Sequence, residues 1–328
     1  MTDRTRARSG IVDARPETGG GHATPSFDLP HGAAPGVPGP AGSTRIGPRD
    51  FAWGRRTYVM GIVNVTPDSF SGDGLLGVAA GPLGAAAAAD PVAPAVNLGR
   101  RMVEEGADLL DVGGESSRPG HADVSASDEI ARVVPVIAAL RAALPEMPLS
   151  VDTTKAAVAA AALDAGADLV NDVWGVAPDD DLLRLAAGHH APVVLMHNRA
   201  EARYTNLMAE ILADLEGAIE RALRAGIAWD AIVVDPGFGF GKTPAHNLVL
   251  LRELSLLRAL GRPILLGASR KSTLGKVLDL GADERLEATL ATTALGVAAG
   301  VDMVRVHDVR PNVRTARMAD AIVRGGLS

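Results

Sequence analysis

The chain has 328 residues, with 47% apolar and only 3% aromatic side chains, no cysteine, and a formal charge of −7. The lack of cysteine excludes disulfides, thiolate metal sites and a cysteine nucleophile, and the acidic balance argues against a nucleic-acid carrier. No run approaches a membrane span of about 18 apolar residues and no signal-peptide core opens the chain, so a cytoplasmic location is expected.

Residues 1–47 carry Gly19-Gly20-Gly21 and the proline-rich HGAAPGVPGPAGS with few large apolar residues, and are expected to be a disordered extension. Residues 48–328 are expected to be one domain. Its first apolar run is Tyr58–Asn64 (YVMGIVN), followed by the polar loop Asn64-Val65-Thr66-Pro67-Asp68-Ser69-Phe70. A low-complexity insertion near 75–94 comes next; five alanines there favour a helical turn that Pro82, Pro91 and Pro94 keep short.

A helix is predicted over 97–105, with Asn97 as a possible N-cap and Gly106 as its stop. The second run, 107–112 (ADLLDV), leads into Gly113-Gly114-Glu115-Ser116-Ser117-Arg118-Pro119-Gly120, where two glycines permit close backbone approach and Arg118 offers a forked donor for an anion. Run three is 149–153 (LSVDT). It is followed by a helix over 155–164 and run four at 169–173 (LVNDV). Further helices over 180–187, 209–225, 245–260 and 284–299 each end at a glycine, and alternate with runs at 192–197 (PVVLMH), 231–236 (AIVVDP), 263–269 (PILLGAS) and 303–308 (MVRVHD). Eight strands alternating with helices predict an α/β fold, a single (β/α)8 TIM-type barrel, with an open doubly wound sheet as the alternative. Eight repeats without a second domain favour closure.

Polar residues collect where these strands end, the face on which such barrels carry their sites. Asp152, Asn171, Asp235 and Lys271 come from strands three, four, six and seven. Two carboxylates and an amide facing inward suit a flat heterocycle with several N–H donors and a carbonyl. Asn64, Arg118, Arg305 and His307 come from strands one, two and eight, adjacent around a closed barrel, and suit a phosphate or diphosphate with Mg²⁺. Each residue also has a structural reading: an Asp or Asn at a strand end can cap the next helix, and an isolated Arg or Lys is usually a surface charge. The recurrence at seven of eight strand ends favours a site. His189 and His190 precede a strand, on the wrong face; His197 is read as structural or supporting. Two nucleotide-like motifs fail. Residues 237–243 (GFGFGKT) would put Pro236 where a P-loop needs glycine, and 72–77 (GDGLLG) opens into low complexity, not a helix.

The segments 60–70 (MGIVNVTPDSF), 108–120 (DLLDVGGESSRPG), 235–247 (DPGFGFGKTPAHN), 267–272 (GASRKS) and 305–309 (RVHDV) resemble, in order, the signatures of dihydropteroate synthases, over about residues 56–325. The resemblance implies a homodimeric barrel joining 6-hydroxymethyl-7,8-dihydropterin diphosphate to 4-aminobenzoate in folate synthesis. It implies that Asp152, Asn171, Asp235 and Lys271 hold the pterin, with Asp152, Asp235, Lys271 and Arg118 the catalytic set. Asn64 would bind Mg²⁺. Ser117, Arg118, Arg305 and His307 would hold the diphosphate or complete the aminobenzoate pocket, and Ser269 would lie near the aminobenzoate carboxylate. Departures from the pattern are Ser117 for Thr, Gly72-Asp73-Gly74 in the first loop, Ala268 for Thr, and Met196-His197-Asn198-Arg199-Ala200 for M-H-M-R-G. Three alternatives stand beside this reading, one of them a protein whose long N-terminal tail dominates its function, with only low complexity behind it. Corrinoid-dependent methyltransferases share the barrel and the inward Asp/Asn set but need no diphosphate site, and a non-catalytic paralogue would bind pterin without condensing it.

Overall fold

The computed structural model describes residue 40 and residues 42–66, 91–115, 123–177 and 180–325. All of them belong to the second of two units, His31–Ser328; the first, Met1–Pro30, lies outside the described residues.

A hairpin of β1 (Ser43–Ile46) and β2 (Arg49–Ala52) precedes eight parallel strands. These are β3 (Tyr58–Asn64), β4 (Leu109–Gly113), β5 (Leu149–Asp152), β6 (Leu169–Asp172), β7 (Val193–Met196), β8 (Ile232–Asp235), β9 (Leu265–Leu266) and β10 (Met303–Val306). Their order is β8-β7-β6-β5-β4-β3-β10-β9. A parallel bridge between Val234 and Ile264 joins the two ends, and the Val234 N–H donates to the Pro263 carbonyl at 2.9 Å. The sheet is therefore a closed barrel. The (β/α)8 expectation holds and the open-sheet alternative does not.

The helices are α1 (Val92–Glu104), α2 (Ala126–Ala143), α3 (Ala156–Asp164), α4 (Asp181–Gly188), α5 (Leu207–Ala225), α6 (Pro244–Arg252), α7 (Ser272–Leu278), α8 (Leu286–Ala298) and α9 (Val309–Asp320). Alternation along each strand sends one set of side chains out to these helices and the other into the barrel. Val59, Val63, Leu110, Val112, Val151, Val170, Val193, Val234, Val304 and Val306 belong to the outer core. Tyr58, Met60, Leu109, Leu169, Val194, Val233, Leu265 and Met303 form a separate inner cluster with Ile46, Phe51 and Trp53 of the N-terminal segment. The hairpin thus closes one end of the barrel with an aromatic plug. Ring centroids are 4.6 Å apart for Phe51 and Tyr58 and 5.4 Å for Trp53 and Tyr58, and the Trp53 indole donates to Thr44 Oγ1 at 2.9 Å.

Among the boundaries that differ from expectation, three have a clear local reading. Ser43–Ile46 is a strand, so the expected extension over 1–47 is ordered at its end; residues 1–39 and 41 lie outside the described residues. Helix α1 starts at Val92, not 97, with Pro91 as N-cap and Pro94 in the first turn. Proline is tolerated there because first-turn N–H groups have no intrahelical partner. The last part of the expected 75–94 insertion is thus helical, and 75–90 lies outside the described residues. The helix expected over 245–260 stops at Arg252 and continues as a 3₁₀ helix, Leu254–Leu260. Among the described residues no helix is long and apolar enough to cross a membrane.

Candidate active site

Two residues beyond the inner apolar ring, the same inward face turns polar. Leu109 gives way to Asp111, Leu169 to Asn171, Val233 to Asp235 and Met303 to Arg305, all by the two-residue period of a strand. Strand pairing sets Gly113 beside Asp152 and Asp152 beside Asn171, which places the third- and fourth-strand candidates side by side. The barrel thus carries a belt of charge at its C-terminal mouth, resting on a floor of Met, Leu and Val.

Arg305 is the hub of one half. Its Nε donates to Asp111 Oδ2 at 2.5 Å and its Nη2 to Asp152 Oδ2 at 2.6 Å. Asn171 Nδ2 donates to the same Asp111 oxygen at 3.1 Å. Asp111 is fully buried, and its Oδ1 has no hydrogen-bond partner among the described residues. One guanidinium is shared by two carboxylates. Burial lifts the Asp152 carboxyl to about 7; the nearby Arg305 opposes the rise and the Asp111 charge adds to it. Burial also disfavours the Arg305 cation, but Asp111 and Asp152 more than compensate and hold it above its ordinary value.

Asp235 and Lys271 form the other half. Asp235 is 5% exposed, burial raises its pKa, and its Oδ1 accepts the Gly237 N–H at 2.7 Å. The Lys271 ammonium donates to the Phe238 carbonyl and lies 4.2 Å from the Phe240 ring centroid. Burial lowers Lys271 to about 7, with Asp235 opposing the fall. The Asp235 carboxylate, the Lys271 ammonium and the Arg305 stem all come within 4 Å of where a side chain at Gly267 would begin.

At the rim, Ser269 Oγ lies 3.0 Å from His307 Nδ1 and accepts the His307 N–H at 3.2 Å. Arg270 grips Asp308 with two donors, at 2.9 and 2.6 Å. That carboxylate therefore orients Arg270, and the Ser–His contact acts as a strut between the ends of β9 and β10. Asn64, half-buried at the end of β3, faces the space over Gly113 together with Asp152. Ser117 and Arg118 lie outside the described residues.

Asp152, Asn171, Asp235, Lys271, Ser269, Arg305, His307 and Asn64 thus all sit at the mouth. One grouping differs from the sequence reading: Arg305 joins the Asp111–Asp152–Asn171 cluster as well as the β10–β3 side. Asp111 was missed. A carboxylate inside the run ADLLDV was its signal, since such a residue in a strand buried on both faces needs a partner. His189 and His190 are exposed beyond α4, while His197 is fully buried and holds Asp214 and Lys242, consistent with a supporting role. Among the described residues no group of three His, Asp or Glu side chains forms a metal cage.

Comparison with known proteins bears on this arrangement. Residues 60–307 match the profile of the pterin binding enzymes. Dihydropteroate synthase of Clostridium beijerinckii is 47% identical over 281 residues, covering 85% of this chain and 99% of its own. The structure of the Clostridium difficile dihydropteroate synthase with pteroic acid superposes with a TM-score of 0.76 at 46% identity, covering 83% of this chain and 98% of that one. The Xanthomonas albilineans dihydropteroate synthase with 4-aminobenzoic acid gives 0.76 at 40% identity, covering 86% and 98%. At this identity and coverage, the chain belongs to the dihydropteroate synthase family.

Proposed function

We propose that this chain joins 6-hydroxymethyl-7,8-dihydropterin diphosphate to 4-aminobenzoate, giving 7,8-dihydropteroate and diphosphate. The observation that carries the reading is the polar belt itself: three carboxylates, an amide, an ammonium and a guanidinium converge over an apolar floor. A pterin offers N–H donors along one edge and a carbonyl and ring nitrogens along another. Asp152, Asn171 and Asp235 take the donors, and Lys271 the acceptors. The apolar inner ring below excludes water from the buried end. Its relatives' complexes with pteroic acid and 4-aminobenzoic acid support the same assignment.

The reaction breaks the C–O bond between the exocyclic CH₂ and diphosphate, the electron pair leaving with oxygen. The arylamine nitrogen forms the new C–N bond and sheds its proton to the departing anion or to water. No covalent bond to the protein is needed. Asp152 and Asp235 favour positive charge developing on the pterin-methyl carbon, while Arg118, Arg305 and His307 take up negative charge on the leaving group. Ser117 belongs with this set, and Ser269, held by His307, lies where the aminobenzoate carboxylate would dock.

Mg²⁺ fits the donor set. Asn64 supplies one neutral amide oxygen beside Asp152, and an ion otherwise ligated by phosphate oxygens and water needs no protein cage. When bound it would neutralise charge on the diphosphate. The protein is proposed to be cytoplasmic and a homodimer, the latter supported by Leu295, Met318 and Ile322, which expose 62%, 63% and 63% of their area on and just beyond the packed pair α8 and α9. Light scattering that reported a monomer at micromolar concentration would overturn the dimer.

The test is diphosphate release from purified protein with pterin diphosphate, Mg²⁺ and 4-aminobenzoate, omitting each in turn. Release that requires both organic substrates, with dihydropteroate appearing, is expected. Pterin binding without condensation would instead identify a non-catalytic paralogue.

A further inference from the structure

The segment after β8 places three left-handed glycines at alternate positions, Gly237, Gly239 and Gly241, with φ of 68°, 86° and 54°. A side chain at Gly239 would strike the Lys271 stem, its Cβ falling 2.8 Å from Lys271 Cδ, and side chains at Gly237 and Gly241 would strike the backbone of His197 and Arg199. The turn is therefore sandwiched between the β7 exit and Lys271. Its two intervening residues receive that lysine, Phe238 through its carbonyl and Phe240 through its ring. Glycines lose more conformational freedom on ordering than other residues, so the turn depends on the contacts that hold it, among them the Phe240 N–H on the Gly237 carbonyl at 3.1 Å and the Gly239 N–H on Asn247 Oδ1 at 2.8 Å.

Lys242 closes it. The side chain is 9% exposed, and its ammonium donates to the Gly237 carbonyl at 3.0 Å, the Phe240 carbonyl at 3.0 Å and His197 Nδ1 at 2.9 Å. Three acceptors match the three N–H donors of an ammonium. Burial depresses His197 to about 3, the neighbouring Lys242 charge adding to the fall, so the imidazole is neutral and its Nδ1 accepts. The imidazole is held in turn by Asp214 at 3.2 Å from Nε2, and Asp214 by Arg199 at 2.7 Å. The last residues of the P-loop-like motif and the histidine at the β7 exit thus form one clasp.

We propose that Lys242 is a positioning residue for Lys271: it fastens the glycine turn whose Phe238 carbonyl and Phe240 ring set where the Lys271 ammonium points. The proposal deepens the functional reading above and rests on it for the consequence in substrate binding. With its three donors taken by His197 and two turn carbonyls, Lys242 acts through the turn.

A double-mutant cycle tests this, with Lys242→Met, Lys271→Met and the pair, reading the affinity for pterin diphosphate with Mg²⁺ by calorimetry, and KM and kcat by diphosphate release for Lys242→Met beside the wild type. Lys242→Met alone is expected to weaken affinity and raise KM at least tenfold. In the Lys271→Met background it should change the affinity by less than twofold. Equal losses in both backgrounds would mean a general structural role and overturn the proposal. A ligand-free readout keeps the two readings apart: acetic anhydride should label Lys271 of the Lys242→Met protein several-fold faster than in the wild type, followed by peptide mass spectrometry. An unchanged rate overturns the clasp even if the enzyme binds pterin, and a faster rate supports it even if it does not. If Lys242→Met does not fold, Lys242→Gln, which keeps a donor for one carbonyl, takes its place in both measurements.

Discussion

Replacing Asp111 by asparagine separates the charge of this buried residue from its shape. In the wild type one Asp111 oxygen receives both Arg305 Nε at 2.5 Å and Asn171 Nδ2 at 3.1 Å, while Asp152 holds the other end of the guanidinium. Removing the Asp111 charge leaves Arg305 with one carboxylate, so it moves more fully onto Asp152, which the pterin must then win back. A hydrogen bond to a charged group contributes about 1.5–3 kcal/mol, which sets the expected loss of pterin affinity at roughly ten- to over a hundredfold. Stability should change less. The Asp111 Oδ1 is buried without a hydrogen-bond partner among the described residues, so neutralising the group offsets part of the lost attraction, and a net cost below about 2 kcal/mol is expected. A second readout carries a sign. Burial is the largest cause holding Asp152 near 7, Arg305 opposes it, and the Asp111 charge adds to it. Asp111→Asn removes that last contribution, so Asp152 ionises at lower pH and the acid limb of the binding profile moves down. Titration calorimetry from pH 5.5 to 8 measures both. Affinity within threefold of wild type, or an acid limb that stays in place, would refute the role given to Asp111.

Other outcomes follow from the same geometry. Lys271→Ala is expected to abolish turnover without unfolding the chain, and near-wild-type activity would sink the site assignment. Burial lowers Lys271 to about 7, so its cation is lost as pH rises through that value; pterin affinity should therefore fall above neutrality in the wild type and lose that alkaline limb in Lys271→Met. Phe51→Ala empties the aromatic plug beneath the barrel and should cost about 3–5 kcal/mol in urea unfolding, with turnover per folded molecule kept; a cost under 1 kcal/mol would mean the plug adds little. Chelation with EDTA, or Asn64→Ala, should weaken binding of the diphosphate substrate but not of a pterin lacking phosphates, and equal loss for both ligands would remove Asn64 from the metal assignment.

Much of this site was legible before folding, because parallel strands buried on both faces must be almost wholly apolar. Any polar residue at the end of such a run stands out, and Asp152, Asn171, Asp235, Arg305 and His307 did so. Asp111 stood inside its run with apolar neighbours on both sides, and only its distance to Arg305, 194 positions away, shows what it does. His197 was rightly set apart from the main belt, but its partner Lys242 was read within a failed nucleotide motif, not as a buried cation. Local pattern also misjudged the start of α1, since prolines that break a helix interior are compatible with its first turn.

The sequence by itself determined the repeating strand–helix order and the face that carries chemistry, because both depend on two-residue alternation and on chain direction, which are local properties. The tertiary structure alone decided the rest. Pairing of β10 with β3, β3 with β4 and β4 with β5 brings Asp111 and Asp152 onto the Arg305 guanidinium. The N-terminal hairpin becomes the floor of the barrel, and the glycine turn after β8 becomes the seat of Lys271. These depend on contacts between residues tens to hundreds of positions apart, whose energy comes from shared burial and shared charge and is written in no single stretch of the chain.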